Sequence, residues 1–133
     1  MKGQLTQRDI HLLDFCEQQL PISTDMAAIL FYPNRYIAQR RLAIIHHLKQ
    51  LKRSERLFVN QPYVYYQKKK DLKNLLFTKL LCDMTEAGFH IESYSFKENV
   101  LVAVIHKEEI SYQINATLQN MEQVYKRLKL ESK

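Results

Sequence analysis

Three prolines, Pro21, Pro33 and Pro62, interrupt the first half of this sequence and limit how long any helix there can be. A proline inside a helix removes a hydrogen bond and clashes with the preceding turn, so helices end near it. Between the prolines, apolar residues recur at the three- and four-residue spacing of amphipathic helices. We therefore expect three helices: one from Gln7 to Leu20, one that Ser23 or Thr24 caps and that runs to Leu30, and one that Asn34 caps and that runs to about Leu51.

Side chains that cap helices precede two of these segments. Thr6 stands before the first helix, with Asp9 in its first turn, and Asn34 stands before the third. Threonine and asparagine accept hydrogen bonds from the free amides of a first turn, and an acid there faces the positive end of the helix dipole. Both positions are therefore predicted N-caps.

The segment RLFVNQPYVYYQ, which begins at Arg56, carries β-forming residues on both sides of a turn. Asn60, Gln61 and Pro62 supply the turn, so the pattern predicts a β-hairpin with strands at residues 57–59 and 63–66. A fourth helix is then predicted to open at Asp71 and to end at Gly88.

The remainder of the chain changes from helical to strand patterns: residues 90–96 alternate, whereas residues 100–105 are apolar on both faces, as in a central strand. Residues 90–96, 100–105 and 110–114 read as three strands of an antiparallel meander, and a last helix is predicted from Ala116 to Leu130. Two helices joined by a tight turn and followed by a hairpin match the layout of a winged helix-turn-helix. The predicted fold class is α+β, with a winged helix-turn-helix at residues 1–88 and a small antiparallel sheet plus C-terminal helix at 89–133.

Positive charge is concentrated in the middle of the chain. The whole sequence carries a net charge of +6, whereas residues 35–70 contain ten lysines and arginines against one acid, Glu55, which leaves −3 for the rest. Such a block is typical of proteins that bind the phosphates of nucleic acid. The alternative interpretation is a solvated helix face beside a charged loop.

The third helix places different chemistry on its two sides. A projection at 100° per residue predicts that its exposed side carries arginine and glutamine, which bond bidentately to guanine and adenine in the major groove. Arg41 falls on the apolar side, where it either reaches solvent at the rim or pairs with an acid of the first helix. The predicted base-reading residues are Arg35, Tyr36, Gln39 and Arg40.

Other basic residues of the block are better placed for the DNA backbone. The predicted phosphate contacts are His46, Lys52, Arg53, Arg56, Lys68, Lys69 and Lys70. Asn60 and Gln61, at the tip of the predicted wing, are candidates for contacts with the minor groove or the sugar-phosphate backbone.

Metal, cofactor and catalytic signals are weak in this sequence. His46 and His47 are adjacent and therefore point about 100° apart on a helix, which does not suit joint binding of one metal ion. The sequence contains none of the common hydrolase, phosphate-loop or redox motifs, and Cys16 and Cys82 fit apolar helix patterns as buried free thiols. We therefore expect a non-enzymatic cytoplasmic protein without cofactor, metal or membrane anchor.

The segments LTQRDIHLLDFCEQQLPISTDMAAILF, QRRLAIIHHLKQLKRSERLF and YVYY resemble the replication-relaxation family, winged-helix proteins of Gram-positive plasmids, integrative elements and phages. The resemblance covers about residues 5–88. It implies DNA binding on a mobile element and marks Arg40, Arg41 and residues 63–66. Larger relatives continue into an acidic, nuclease-like sheet, whereas Gln113 and Asn115 here cannot act as carboxylate metal ligands.

Two functions from different classes follow from these observations. The first is a double-stranded DNA-binding protein, a transcriptional regulator or a replication or transfer accessory factor, which binds as a homodimer through its C-terminal sheet or last helix. The second is a protein-protein interaction module on the same scaffold, which recruits a replication or conjugation protein.

Overall fold

A computed structural model of the chain describes residues 4–54 and 62–130. These residues form five α-helices, one 3-10 helix and two antiparallel sheets of three strands each, so the predicted α+β class is confirmed. The chain divides into two compact units, residues 1–78 and 79–133. The division falls inside the fourth helix, whereas the sequence placed a boundary after Gly88.

The first unit contains three helices, a small sheet and the start of a fourth helix. Its elements are α1 (Gln7–Glu17), β1 (Ile22–Ser23), α2 (Thr24–Leu30), α3 (Arg35–His47), β2 (Lys52–Arg53), β3 (Val64–Tyr66), a 3-10 helix (Lys69–Asn74) and α4 (Leu75–Glu86), which continues into the second unit. The core of this unit is formed by fully buried apolar side chains of the helices, of β1 and of the segment between α1 and β1. They include Leu12, Phe15, Leu20, Ile22, Ala38, Leu42, Ile45 and Phe77.

The helix starts follow the predicted caps. Thr6 and Asp9 form a capping box, and the Asn34 side chain accepts from the Ile37 amide at 2.9 Å. The helices end earlier than predicted, α1 at Glu17 and α3 at His47. The physical reason is local: a residue just beyond each end, Gln19 (φ 71°) or Lys49 (φ 62°), adopts the left-handed conformation that ends a helix.

The sheet of the first unit has the order β1-β3-β2. The predicted strand at residues 63–66 is present as β3, and its tyrosine Tyr65 pairs with Ile22 on one side and Arg53 on the other. The sequence assigned β3 a partner at residues 57–59, which lie outside the described residues. The described partner is β2, which begins directly after the turn that ends α3, and β1 was not predicted.

The start of α4 differs from the one predicted from the sequence. Asp71 does not open this helix but lies within the 3-10 helix, where its carboxylate accepts from the Lys68 amide at 3.1 Å. The α-helix begins at Leu75 and ends at Glu86, and Gly88 (φ 97°) follows its end as predicted. The hydrogen bond from the Lys68 amide to the Asp71 side chain is a local side chain-to-backbone contact of the kind that competes with a regular α-helix start.

The second unit contains the predicted antiparallel meander. Its strands are β4 (His90–Lys97), β5 (Val100–Lys107) and β6 (Ile110–Ala116), in the order β4-β5-β6. Its helices are the later part of α4 and α5 (Met121–Leu128). One face of β5 is buried, through Leu101, Ala103 and Ile105. The last helix starts five residues later than predicted because Thr117 and Asn120 form reciprocal side chain-to-backbone hydrogen bonds that favour a turn.

Candidate nucleic-acid interface

The N-terminal half of α3 presents an exposed polar face. Tyr36 is 68% exposed, and Gln39 and Arg40 are exposed beside it. The guanidinium carbon of Arg40 lies 6.0 Å from the centroid of the Tyr36 ring, at the outer limit of a cation-π contact. Ala43, one turn further along, is also exposed and offers little side-chain bulk. This face therefore has donors, an aromatic ring and room for close approach.

Arg35 already has a partner within the chain. Its Nε lies 2.6 Å from the Asp25 carboxylate on α2, and its Nη1 donates to Gln39 at 3.5 Å. Both side chains of the ion pair are 59% exposed. An exposed pair of this kind contributes roughly 0 to 1 kcal/mol, so a phosphate or a base edge can replace Asp25 at little cost.

A buried hydrogen-bond network holds Arg41. Of the two outcomes predicted for this residue, the pairing with an acid of the first helix is confirmed. Its Nε and Nη2 donate to Asp9, which is fully buried and also accepts from the Tyr32 hydroxyl at 2.7 Å. Burial alone would raise the pKa of Asp9, but hydrogen bonds from Arg41, Thr6 and Tyr32 outweigh it and lower that pKa. Arg41 therefore fixes α3 to α1, and Arg40 is the neighbouring arginine that faces outward.

A chain of ring contacts connects α3 to the sheet. The His46 ring lies 6.2 Å from the Tyr65 ring, and Tyr65 lies 6.4 Å from Tyr63, both in edge-to-face geometry. The Arg53 guanidinium carbon is 3.9 Å from the centroid of the Tyr63 ring. Because stacking on a ring restricts a long side chain, Arg53 is held in one direction beside α3.

His46 is half-buried rather than fully on the exposed side of α3. Its Nδ1 lies 3.0 Å from the Leu51 carbonyl oxygen. Because a carbonyl only accepts, Nδ1 carries the proton in this contact, and Nε2 of the neutral ring is an acceptor. A phosphate contact at His46, as the sequence predicts, therefore requires the doubly protonated imidazolium.

Lys52 and the lysine triplet at residues 68–70, which are also predicted phosphate contacts, lie toward one end of the first sheet. Lys52 is exposed and pairs with Tyr66, which lies two residues before Lys68 in the chain. The lysine triplet, Lys68, Lys69 and Lys70, is exposed and begins the 3-10 helix. Strand pairing therefore brings Lys52 and the triplet near each other, although they are far apart in sequence. Arg56, Asn60 and Gln61 lie outside the described residues.

Residues 35–54 contain six lysines and arginines and no acid. Among the residues that the structure describes, acids pair with two of the six, Arg35 and Arg41. The other four are Arg40, Lys49, Lys52 and Arg53. Lys49 was not among the predicted site residues, and Tyr63, on whose ring Arg53 stacks, was marked only by the resemblance. The signal for Lys49 was present, because it belongs to the same acid-free run, whereas the stacking of Arg53 on Tyr63 depends on strand register.

Residues 4–54 and 62–130 contain no group of three histidine, cysteine or acidic side chains placed to hold a metal ion. Cys16 and Cys82 are buried thiols outside any disulfide, as predicted, and burial raises the pKa of each to about 12. The helices in these residues are all too short or too polar to cross a membrane.

Comparison of the chain with protein-family models, with curated proteins and with solved structures finds no match. The site described above therefore rests on its own geometry.

Proposed function

We propose that the first unit is a winged helix-turn-helix that binds double-stranded DNA, with α3 in the major groove. The order of elements along the chain supports this proposal. A turn of four residues, 31–34, joins α2 to α3, and the antiparallel strands β2 and β3 follow α3. The segment between β2 and β3 would be the wing.

The exposed face of α3 carries the proposal. Tyr36, Gln39 and Arg40 point outward from a helix whose surrounding twenty residues, 35–54, contain no acid. Arginine pairs bidentately with guanine and glutamine with adenine, and the N-terminal turns of a recognition helix are the ones that reach base edges. Arg35 would also contact the DNA, by releasing Asp25 and binding a base edge or a phosphate instead.

Backbone contacts would come from the other basic side chains of the unit. Arg53, fixed on the Tyr63 ring, would contact a phosphate beside the groove that α3 occupies. Lys49, Lys52 and the lysine triplet would contact the flanking backbone. Their contribution is independent of sequence and falls as salt concentration rises, because each contact releases condensed counterions.

The biological setting follows from the resemblance alone. We propose a non-enzymatic role on a mobile element, as a transcriptional regulator or as an accessory factor in replication or transfer. In β6, Gln113 and Asn115 are amides and therefore cannot act as carboxylate metal ligands. This supports a binding role rather than the activity of a metal-dependent nuclease.

The test is a scan of DNA fragments from the genetic neighbourhood of the protein against random duplex, by fluorescence anisotropy at about physiological salt. We expect one fragment to bind about a thousandfold more tightly than random duplex. Its position, at a promoter or at an origin, would identify the process. Equal weak binding to all fragments, with a steep dependence on salt, would reject specific recognition and favour the interaction module.

A further inference from the structure

The outer edge of β6 has the features of a strand that pairs with another chain. β6 pairs with β5 along seven consecutive residues, Ile110 to Ala116, without a register shift. Within the described residues β5 is its one strand partner, so the other edge of β6 has no strand beside it there. Such an edge is a template for β-pairing unless the sequence protects it.

The opposite edge of the same sheet is protected. β4 contains a register shift between Ile91 and Ser93, and the Glu92 carboxylate there lies 2.7 Å from the His106 ring. Lys97 adds a further charge at the end of this strand. Bulges and charged side chains are the usual devices that prevent edge-to-edge association. β6 has neither, because ISYQINA contains no charged residue and no proline, and its Ile110 is 55% exposed.

The open face of this sheet is also uncharged near β6. Two rows run across it, Ser93–Val104–Gln113 and Ser95–Val102–Asn115, and the outer residue at each end of both rows is exposed. Directly paired residues share a face, so neutral polar groups flank a half-buried valine pair. The whole chain carries +6, and two copies repel one another except where their charge is locally absent.

We infer that two copies of this chain associate through antiparallel pairing of β6 with β6, to form one six-stranded sheet about a twofold axis. In the joint sheet, the open faces of the two copies must lie on the same side. The registers that allow this place Gln113 opposite Ser111, Gln113 or Asn115 of the second copy, and all three residues are uncharged. The Asn115 carbonyl already accepts from the Asn120 side chain at 2.9 Å, which marks the end of the free edge. Because the β4 edge is protected, the pairing closes at two copies instead of growing into a filament.

The test is sedimentation velocity of the full chain without DNA, at protein concentrations of about 1 to 100 μM. We expect a species of twice the 15.9 kDa chain mass. Gln113→Lys places a like charge on both copies at the centre of the interface and should weaken association about tenfold or more. The matched control is Ser93→Lys, which adds the same charge to the same row at the β4 edge and should leave association unchanged.

Charge reversal separates repulsion from misfolding. Gln113→Glu alone should also weaken association, whereas an equimolar mixture of Gln113→Glu and Gln113→Lys should restore the dimer. A monomer throughout the concentration range, or equal effects of the Ser93 and Gln113 variants, would overturn the assignment. Because no DNA is present, either result leaves the DNA-binding proposal to be decided by its own test.

Discussion

Replacing Asp9 with asparagine should destabilise the first unit far more than its modest change in shape suggests. The Tyr32 hydroxyl donates to Oδ1 of Asp9 at 2.7 Å, and the Thr6 amide donates to Oδ2 at 2.9 Å. Asparagine has a single side-chain oxygen, so it keeps the acceptor for only one of these two donors. It cannot neutralise Arg41, whose side chain is 20% exposed. Removing one partner of a buried ion pair costs about 3 to 5 kcal/mol. Because Arg41 retains some contact with water, we expect the lower end, about 3 kcal/mol.

The assay is urea unfolding followed by circular dichroism, with Asp25→Asn as the matched control. Asp25 pairs with an arginine of the same helix, Arg35, but both side chains are 59% exposed. Loss of that pair should cost less than about 1 kcal/mol. If the two variants lose equal stability, burial does not determine the strength of the Asp9 network, and the reasoning is refuted.

The pH dependence provides a second test of the same network. The pKa of Asp9 is lowered in the folded state, so the folded form binds its proton less readily than the unfolded form does. The ionised Asp9 carboxylate therefore stabilises the folded state fully above the pKa of an unfolded aspartate, about 4. This stabilisation is lost as the pH falls through the lower pKa that Asp9 has in the folded state. The stability difference between the wild type and Asp9→Asn should be largest near pH 7 and should shrink in acid.

Three further changes have defined outcomes. Tyr63→Leu removes the ring beneath Arg53 and should weaken binding to cognate and random duplex equally, by roughly two- to fivefold, because a cation-π contact contributes about 0.5 to 1 kcal/mol; anisotropy measures both affinities. Gly88→Ala places a side chain at φ 97° and should destabilise the chain by at least about 1 kcal/mol in thermal unfolding. Tyr125→Phe deletes the hydroxyl that donates to Asp83 and should cost about 1 to 2 kcal/mol in the same assay.

The predictions from sequence were most successful where a local rule determines the structure. Asn34 caps α3 because its short side chain reaches the first free amides. The alternating residues 90–96 and the apolar run 100–105 both form strands of the second unit, as predicted. The pairing of Arg41 with Asp9 was one of two alternatives, and it could be foreseen because a charge on an apolar helix face must either reach water or find a partner.

The predictions failed where a turn depends on several weak local preferences. The left-handed residues that end α1 and α3 are a glutamine and a lysine, which carry no glycine signal. The 3-10 helix before α4 and the turn before α5 arise from side chain-to-backbone hydrogen bonds of Asp71 and Asn120, which compete with an α-helix of similar stability. The pairing of Lys52 and Arg53 with β3 depends on long-range register and had no local signal.

The most direct test of the proposed DNA interface compares Arg40→Ala with Lys52→Ala on the best-bound fragment and on random duplex. Both side chains are exposed, but Arg40 lies on the proposed base-reading face of α3 and Lys52 lies on β2. Arg40→Ala should lose about 1 to 3 kcal/mol on the best fragment and much less on random duplex, whereas Lys52→Ala should weaken both equally and reduce the salt slope by about one. Equal losses on both DNAs for Arg40→Ala would contradict base reading by α3.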